Sequence, residues 1–252
     1  MRKKVVILSM FIVLSLCNIS AQVKVAYWGT IFVDSAIIRA SDPSAFQKIT
    51  PAGRGERRTY DRRINGWNTI NAYLYRIDWS DGLVTEAQVN PEFGDSLAPL
   101  EAEKYAIQVG RIPACLRKDI RYLWIHQGKY PFGGGNHAIM IHTGQSAEYE
   151  RTGILEETLV HEATHTSLDD QFARNTDWLA AQKADVNFIS TYAKDNPIRE
   201  DLAETFLMWL ATRQQPRRIS QQTYEKISAY IPNRLIFLDK QNLPMSPVNM
   251  HK

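Results

Sequence analysis

The chain has almost no cysteine: two in 252 residues, Cys17 and Cys115. Cys17 falls inside an apolar run near the start. If that run is removed a single thiol remains, and the fold must hold without an internal disulfide. Long apolar runs are equally scarce. The stretch from Val5 to Leu16 follows Arg2-Lys3-Lys4 and precedes Cys17-Asn18-Ile19-Ser20-Ala21-Gln22. It is too short for a spanning helix and reads as a secretory signal peptide over residues 1–21, cut after Ala21. Cys17 raises a lipoprotein leader as the alternative, but Leu16 stands where such processing takes a small residue. The expected location is secreted or periplasmic, with no stable membrane insertion once the leader is gone. Net charge is missing as well. The whole chain carries +3, with 30 Lys and Arg against 27 Asp and Glu, and the leader alone holds three basic groups and no acidic one. The remainder is neutral, which removes the electrostatic argument for a nucleic-acid partner. No repeat, low-complexity tract or second long apolar segment is visible, and about 231 residues after the leader suit one domain or two small lobes.

What is present is Thr158-Leu159-Val160-His161-Glu162-Ala163-Thr164-His165, a His-Glu-x-x-His pattern inside an apolar run that reads as helix. Residues four apart on a helix lie one turn above each other, so His161 and His165 can present two imidazole nitrogens to one metal ion. Glu162 then stands beside the ion, where it can take a proton from water whose pKa the ion has lowered. A third ligand is needed. A His at 171 after a Gly at 168 would be one arrangement, but those positions hold Gln171 and Leu168. Further on, Asn196 suits an N-cap and Pro197 a first helical position, which predicts a second helix starting there. On it Glu200 and Glu204 share a stripe with Leu207, Met208 and Ala211, so two carboxylates point where apolar side chains point. Carboxylates buried there need a partner, and a metal with a ligating imidazole would serve. Carboxylates on a helix rim, paired with Arg or solvent, are the alternative.

With both segments in view, the chain resembles the gluzincin metallopeptidases. His161-Glu162-x-x-His165 followed by Glu200-Asp201-Leu202-Ala203-Glu204-x-Phe206 looks most like the lethal-factor-like branch, which carries a Glu-x-x-Ala-Glu-x-Phe element. The likeness spans residues 97–212 in layout and about 20 residues in motif. It implies that Glu200 is the third zinc ligand and that Glu204 is a carboxylate orienting a ligating His. It also implies that Tyr192, in Phe188-Ile189-Ser190-Thr191-Tyr192-Ala193, stabilises an oxyanion. By residue type alone Tyr192 is equally a core aromatic.

Elsewhere strand signals dominate from Val23 to Phe93. Val23 to Tyr27 alternates, Trp67 to Ile77 is rich in aromatic and β-branched residues, and Ser80-Asp81-Gly82 turns the chain into a returning strand from Leu83 to Val89. Arg54 to Arg63 holds five arginines in ten residues. A solvated, salt-bridged face is the usual fate of such a run; a clamp for a substrate carboxylate and a strip for an acidic polymer are the other readings. A helix is expected over Leu97–Val109, a strand over Ile120–His126, and a loop over Lys129–Asn136. That loop's Gly133-Gly134-Gly135 lacks the Gly-Lys-Ser/Thr ending of a phosphate loop. Ala138–His142 is a further strand, offered as an edge along which an extended peptide could pair. His126, His137 and His142 read as polar ends of core strands. Asp169 could bond a ligating His but reads as a surface carboxylate at a helix end. A helix over Tyr224–Ile231 and an apolar Leu235–Leu238 form a terminal cap, with a frayed tail from Pro244.

The expected fold is therefore α+β and zincin-like, a mixed or antiparallel sheet with the metal helix and a Glu-bearing helix flanking a cleft. Residues 22–96 form a strand-rich region and 97–252 the metallopeptidase-like region, together one compact unit. The expected function is a secreted zinc-dependent endopeptidase acting on a peptide or protein substrate. His161, His165 and Glu200 hold Zn2+, Glu162 and Tyr192 are catalytic, Glu204 lies behind the ligands, and no organic cofactor is expected. The other readings are an amidase acting on cell-wall peptide, and an exported binding protein for an acidic or cell-wall polymer whose metal helix is structural or empty.

Overall fold

The computed structural model describes residues 23–248, so the expected leader lies outside the described residues. The chain is mixed α+β. In order it forms β1 (Val25–Tyr27), β2 (Phe46–Asp61), β3 (Gly66–Trp79), β4 (Val84–Val89), α1 (Gly94–Val109), α2 (Ala114–Arg117), β5 (Tyr122–His126), β6 (Gly133–Gly135) and β7 (Ala138–His142). Then follow α3 (Thr143–Thr152), α4 (Leu155–Ser167), α5 (Thr176–Asp185), β8 (Phe188–Ser190), α6 (Thr191–Asp195), α7 (Asp201–Trp209), α8 (Gln221–Tyr230) and α9 (Pro232–Asp239).

The main sheet has six strands in the order β2-β3-β4-β5-β7-β6. β2, β3 and β4 form an antiparallel meander, β4, β5 and β7 run parallel, and β6 returns antiparallel on β7. Both expected regions thus contribute to one sheet. β5 and β7 are near-continuous apolar runs because helices cover them. Leu123, Ile125, Ile139 and Ile141 share one core with Tyr105, Ala106 and Val109 of α1 and with Leu159, Val160 and Ala163 of α4. β1 lies apart and pairs in parallel with β8.

Arg54, Arg57 and Arg58 of the arginine run lie in the second half of β2, while Arg62 and Arg63 lie in the turn after it; two of the five are ion-paired. Arg57 bonds Glu86 at 2.8 Å, Arg63 bonds Asp61 and Glu92, and the Arg54 and Arg58 guanidinium groups lie over the Tyr73 and Trp67 rings. At the hairpin turn Asn65 takes a positive φ of 48° and accepts the Tyr60 hydroxyl proton at 2.8 Å.

Three local expectations are corrected. The triple glycine is the edge strand β6, so Ala138–His142 is an interior strand and not the edge. The reason is a close approach: a Cβ on Gly134 would fall 1.9 Å from the Glu162 carbonyl oxygen, so only glycine lets a strand lie against α4. The Glu-bearing helix begins at Asp201 rather than 197. Residues 197–200 form a turn closed by Glu200 N–H to Asn196 C=O at 2.8 Å, with Glu200 at the N-cap position. The tail is not frayed at Pro244: the Ala114 and Cys115 amides donate to the Ser246 and Pro244 carbonyls at 2.8 and 2.9 Å, and Met245 is buried against Cys115. His126 and His142 are polar ends of core strands, as expected, closing β5 and β7; both are fully buried, 5.5 Å apart by ring centre, with their Nδ1 atoms facing Asn90 and the Gln127 carbonyl. No helix among the described residues is long and apolar enough to cross a membrane.

Candidate metal centre

Helices α4 and α7 pack against each other and carry the site. On α4 the apolar residues Leu155, Leu159, Val160 and Ala163 bury one side, which leaves His161, Glu162 and His165 along the adjoining strip. Thr166 ties this helix to the sheet: its hydroxyl donates to the Ala138 carbonyl and accepts from the Gly135 amide, each at 2.9 Å. On the other side Asp201, next to Glu200, is held by Gln182 and Arg234 at 2.9 Å each, and Gln182 also bonds the Pro197 carbonyl. The turn that aims Glu200 is thereby anchored on both flanks.

Three donor atoms converge. His161 Nε2 and His165 Nε2 are 3.2 Å apart, His165 Nε2 and Glu200 Oε2 are 3.2 Å apart, and His161 Nε2 and Glu200 Oε2 are 3.4 Å apart. Tetrahedral ligation with bonds of about 2.0–2.1 Å spaces neighbouring donors about 3.3–3.4 Å apart. The triangle matches one face of that tetrahedron, so His161, His165 and Glu200 could hold a metal ion, with the fourth corner on the cavity side.

The opposite ring nitrogens face carboxylates. His165 Nδ1 lies 2.8 Å from Asp169 Oδ2, and His161 Nδ1 lies 3.5 Å from Glu204 Oε1. A carboxylate at Nδ1 keeps the proton on that nitrogen and turns the Nε2 lone pair toward a metal. Asp169 is therefore not the surface helix-end carboxylate that the sequence suggests. Asp169 stands one turn beyond His165, at i+4 on the same face, at the point where the helix passes into a π turn over Asp169–Ala173. Glu204 is fully buried and accepts the Thr30 hydroxyl at 2.8 Å and the Ile31 amide at 3.0 Å, so an N-terminal segment closes the rear of the site.

Electrostatics follow from this crowding. Burial pushes the Glu200 carboxyl up, but bonds to His161 and His165 outweigh it and hold the group well below the usual carboxylate range. Burial works against the His165 cation, yet the bonds to Asp169 and Glu200 lift its imidazole to about 10. Burial likewise opposes the charged form of His161, and the Glu200 bond raises it overall. The Glu204 carboxyl is raised, chiefly by burial. Two imidazoles thus sit among four carboxylates, Glu162, Glu200, Glu204 and Asp169, an arrangement suited to a divalent cation.

The donors open onto a cavity of about 150 Å³ lined also by Glu162, Tyr192, Gly134, Gly135, Arg62 and Arg199. Tyr192 is 38% exposed and lines the cleft rather than the core. Burial first, and then the Glu200 charge, push its phenol up to about 12, so it stays protonated at neutral pH. Every site residue expected from the sequence is therefore in or directly behind one cavity. Nothing in the sequence singles out Arg62, Thr30 or Ile31. Arg62 lies within the arginine run, and a carboxylate-clamp reading points to it only as one of five. The contacts of Thr30 and Ile31 with Glu204 join residues more than 170 positions apart and leave no local pattern.

No family model, curated protein or solved structure matches the chain.

Proposed function

We propose that the protein is a zinc-dependent hydrolase of peptide bonds, a zincin-like fold with a gluzincin-type ligand set, exported from the cell that makes it. The observation that carries this reading is the near-equilateral donor triangle with Glu162 in the same cavity and a carboxylate at each outward ring nitrogen. Two imidazoles and one carboxylate with an open fourth corner suit a catalytic zinc site rather than a structural one. A zinc ion bound there would polarise the scissile carbonyl and acidify the attacking water. Glu162 takes the proton of that water and passes it to the leaving amine. Tyr192, a phenol that remains protonated, donates to the carbonyl oxygen as it gains charge. The sheet edge that meets the cleft is β6, whose outer side offers backbone groups for pairing with an extended peptide. The open corner and the intact Glu162 favour a catalyst over a binding protein with a decayed site.

The test is Glu162→Gln, assayed on a mixed peptide library with zinc supplied. The variant should bind metal as the parent does while hydrolysis falls about 10²–10⁴-fold. Full activity in the variant would overturn the mechanism.

A further inference from the structure

We infer that Arg62 makes the cleft selective for a substrate bearing a carboxylate near the scissile bond. The inference rests on the hydrolase reading for the nature of the substrate, and on the cavity alone for the anion. Of the five arginines in the run, Arg57 and Arg63 are neutralised by carboxylates. Arg54 and Arg58 lie over the Tyr73 and Trp67 rings and line neither the metal cavity nor the adjoining groove. Arg62 alone enters the cleft. Its Nη2 donates to the Phe132 carbonyl at 2.8 Å, while its Nε is buried without a partner. Among the described residues it forms no ion pair. A guanidinium has five N–H donors in a planar fork, and a half-buried one left unpaired loses hydration without compensation; a carboxylate fills the fork in two-pronged fashion.

Its position says which part of a ligand it would meet. Arg62 lines the metal cavity and also an adjoining groove of about 520 Å³, walled by Tyr60, Trp67, Trp124, Tyr130 and Met140. Tyr60, Trp67 and Trp124 stack edge to face in sequence, at 5.8 and 5.4 Å between ring centres. Arg199 borders both spaces too, but its Nε lies 3.2 Å from Glu200 Oε1, so its charge is engaged there. The carboxylates around the donor triangle repel an anion, which places the ligand's carboxylate at the groove side of Arg62. The substrate is then a peptide with a carboxylate next to a large apolar or aromatic residue that lies on the aromatic wall. That carboxylate is either the C-terminal one or an Asp or Glu side chain.

The experiment is calorimetric titration of the full chain carrying Glu162→Gln, which removes turnover, with zinc supplied and with three probes: N-acetyl-phenylalanine, N-acetyl-glutamyl-phenylalaninamide and neutral N-acetyl-glutaminyl-phenylalaninamide. At least one acidic probe should bind about tenfold more tightly than the neutral one, the lower end for charge-assisted hydrogen bonds. Arg62→Gln should cut that preference below about twofold, Arg62→Lys should keep part of it, and Arg54→Gln should keep all of it. Preference for the first probe assigns the anion to a C-terminus, preference for the second to an acidic side chain, and either supports the inference. Equal binding of all three probes, or a preference that survives Arg62→Gln in a chain with parental melting and metal content, overturns it. Because the readout is binding, a variant that selects acidic probes beside a parent chain that cleaves no peptide would sink the hydrolase reading and leave the anion site standing.

Discussion

Removing the Glu200 carboxylate should strip the site of its metal. In Glu200→Ala only the His161–His165 edge of the donor triangle remains, 3.2 Å long. Glu204 and Asp169 cannot replace the missing corner, because they face the Nδ1 side of each ring, away from the metal position. Losing a group that merely orients a ligating His weakens metal binding about 10–100-fold. Losing a donor outright exceeds that, so about 100-fold, or about 2.7 kcal/mol, is the floor. The assay is elemental analysis of the purified full chain, combined with competition against a chromophoric zinc chelator, for the parent and the variant. The parent should carry one zinc per chain and the variant should lose it to the chelator. Equal zinc affinity in both would refute the His-His-Glu assignment, and a parent that takes up no metal when zinc is supplied would refute the metal centre altogether.

Asp169→Asn keeps the shape but removes the charge at His165 Nδ1, and zinc affinity in the same competition assay should drop about 10–100-fold while the melting temperature holds. Arg234 is fully buried between Asp185 and Asp201, so Arg234→Met leaves carboxylates unpaired in the interior. It should cost about 3–5 kcal/mol in chemical denaturation; a loss under about 1 kcal/mol would mean the cluster is not an ion pair that anchors the Glu200 turn. Glu157, fully buried on α4, accepts the Ile37 and Ile38 amides with one oxygen, has Glu156 beside it and Arg218 across from it, and burial pushes its carboxyl up to about 7. The folded state then holds this proton more tightly than the unfolded chain. The stabilisation is complete below about pH 4.5 and lost as pH rises through about 7, a change of about 3 kcal/mol. Glu157→Gln keeps the acceptor without the charge and should gain stability over the parent above pH 7 but not at pH 4; identical pH profiles of melting would contradict this.

The chemistry of the site was largely legible because it is written in helical spacing. His161 and His165 at i and i+4, and Glu200 with Glu204 at i and i+4, are local relations that a helix turns into shared faces whatever the rest of the chain does. Strand periodicity likewise marked the β3–β4 hairpin and the β5 and β7 strands, and the composition excluded a disulfide framework. What stayed illegible depends on contacts between distant segments. Gly133-Gly134-Gly135 has no β propensity and becomes the edge strand because α4 lies too close for any side chain at Gly134. Arg62 and Arg63 are neighbours of equal charge, yet the hairpin sends one to Asp61 and Glu92 and the other into the cleft. The sequence by itself determined which groups could ligate a metal and move a proton, since that rests on residue type and local period. Only the tertiary structure decided that His161, His165 and Glu200 converge to within 3.4 Å, and which strand and which arginine border them, because those placements come from packing elements far apart along the chain.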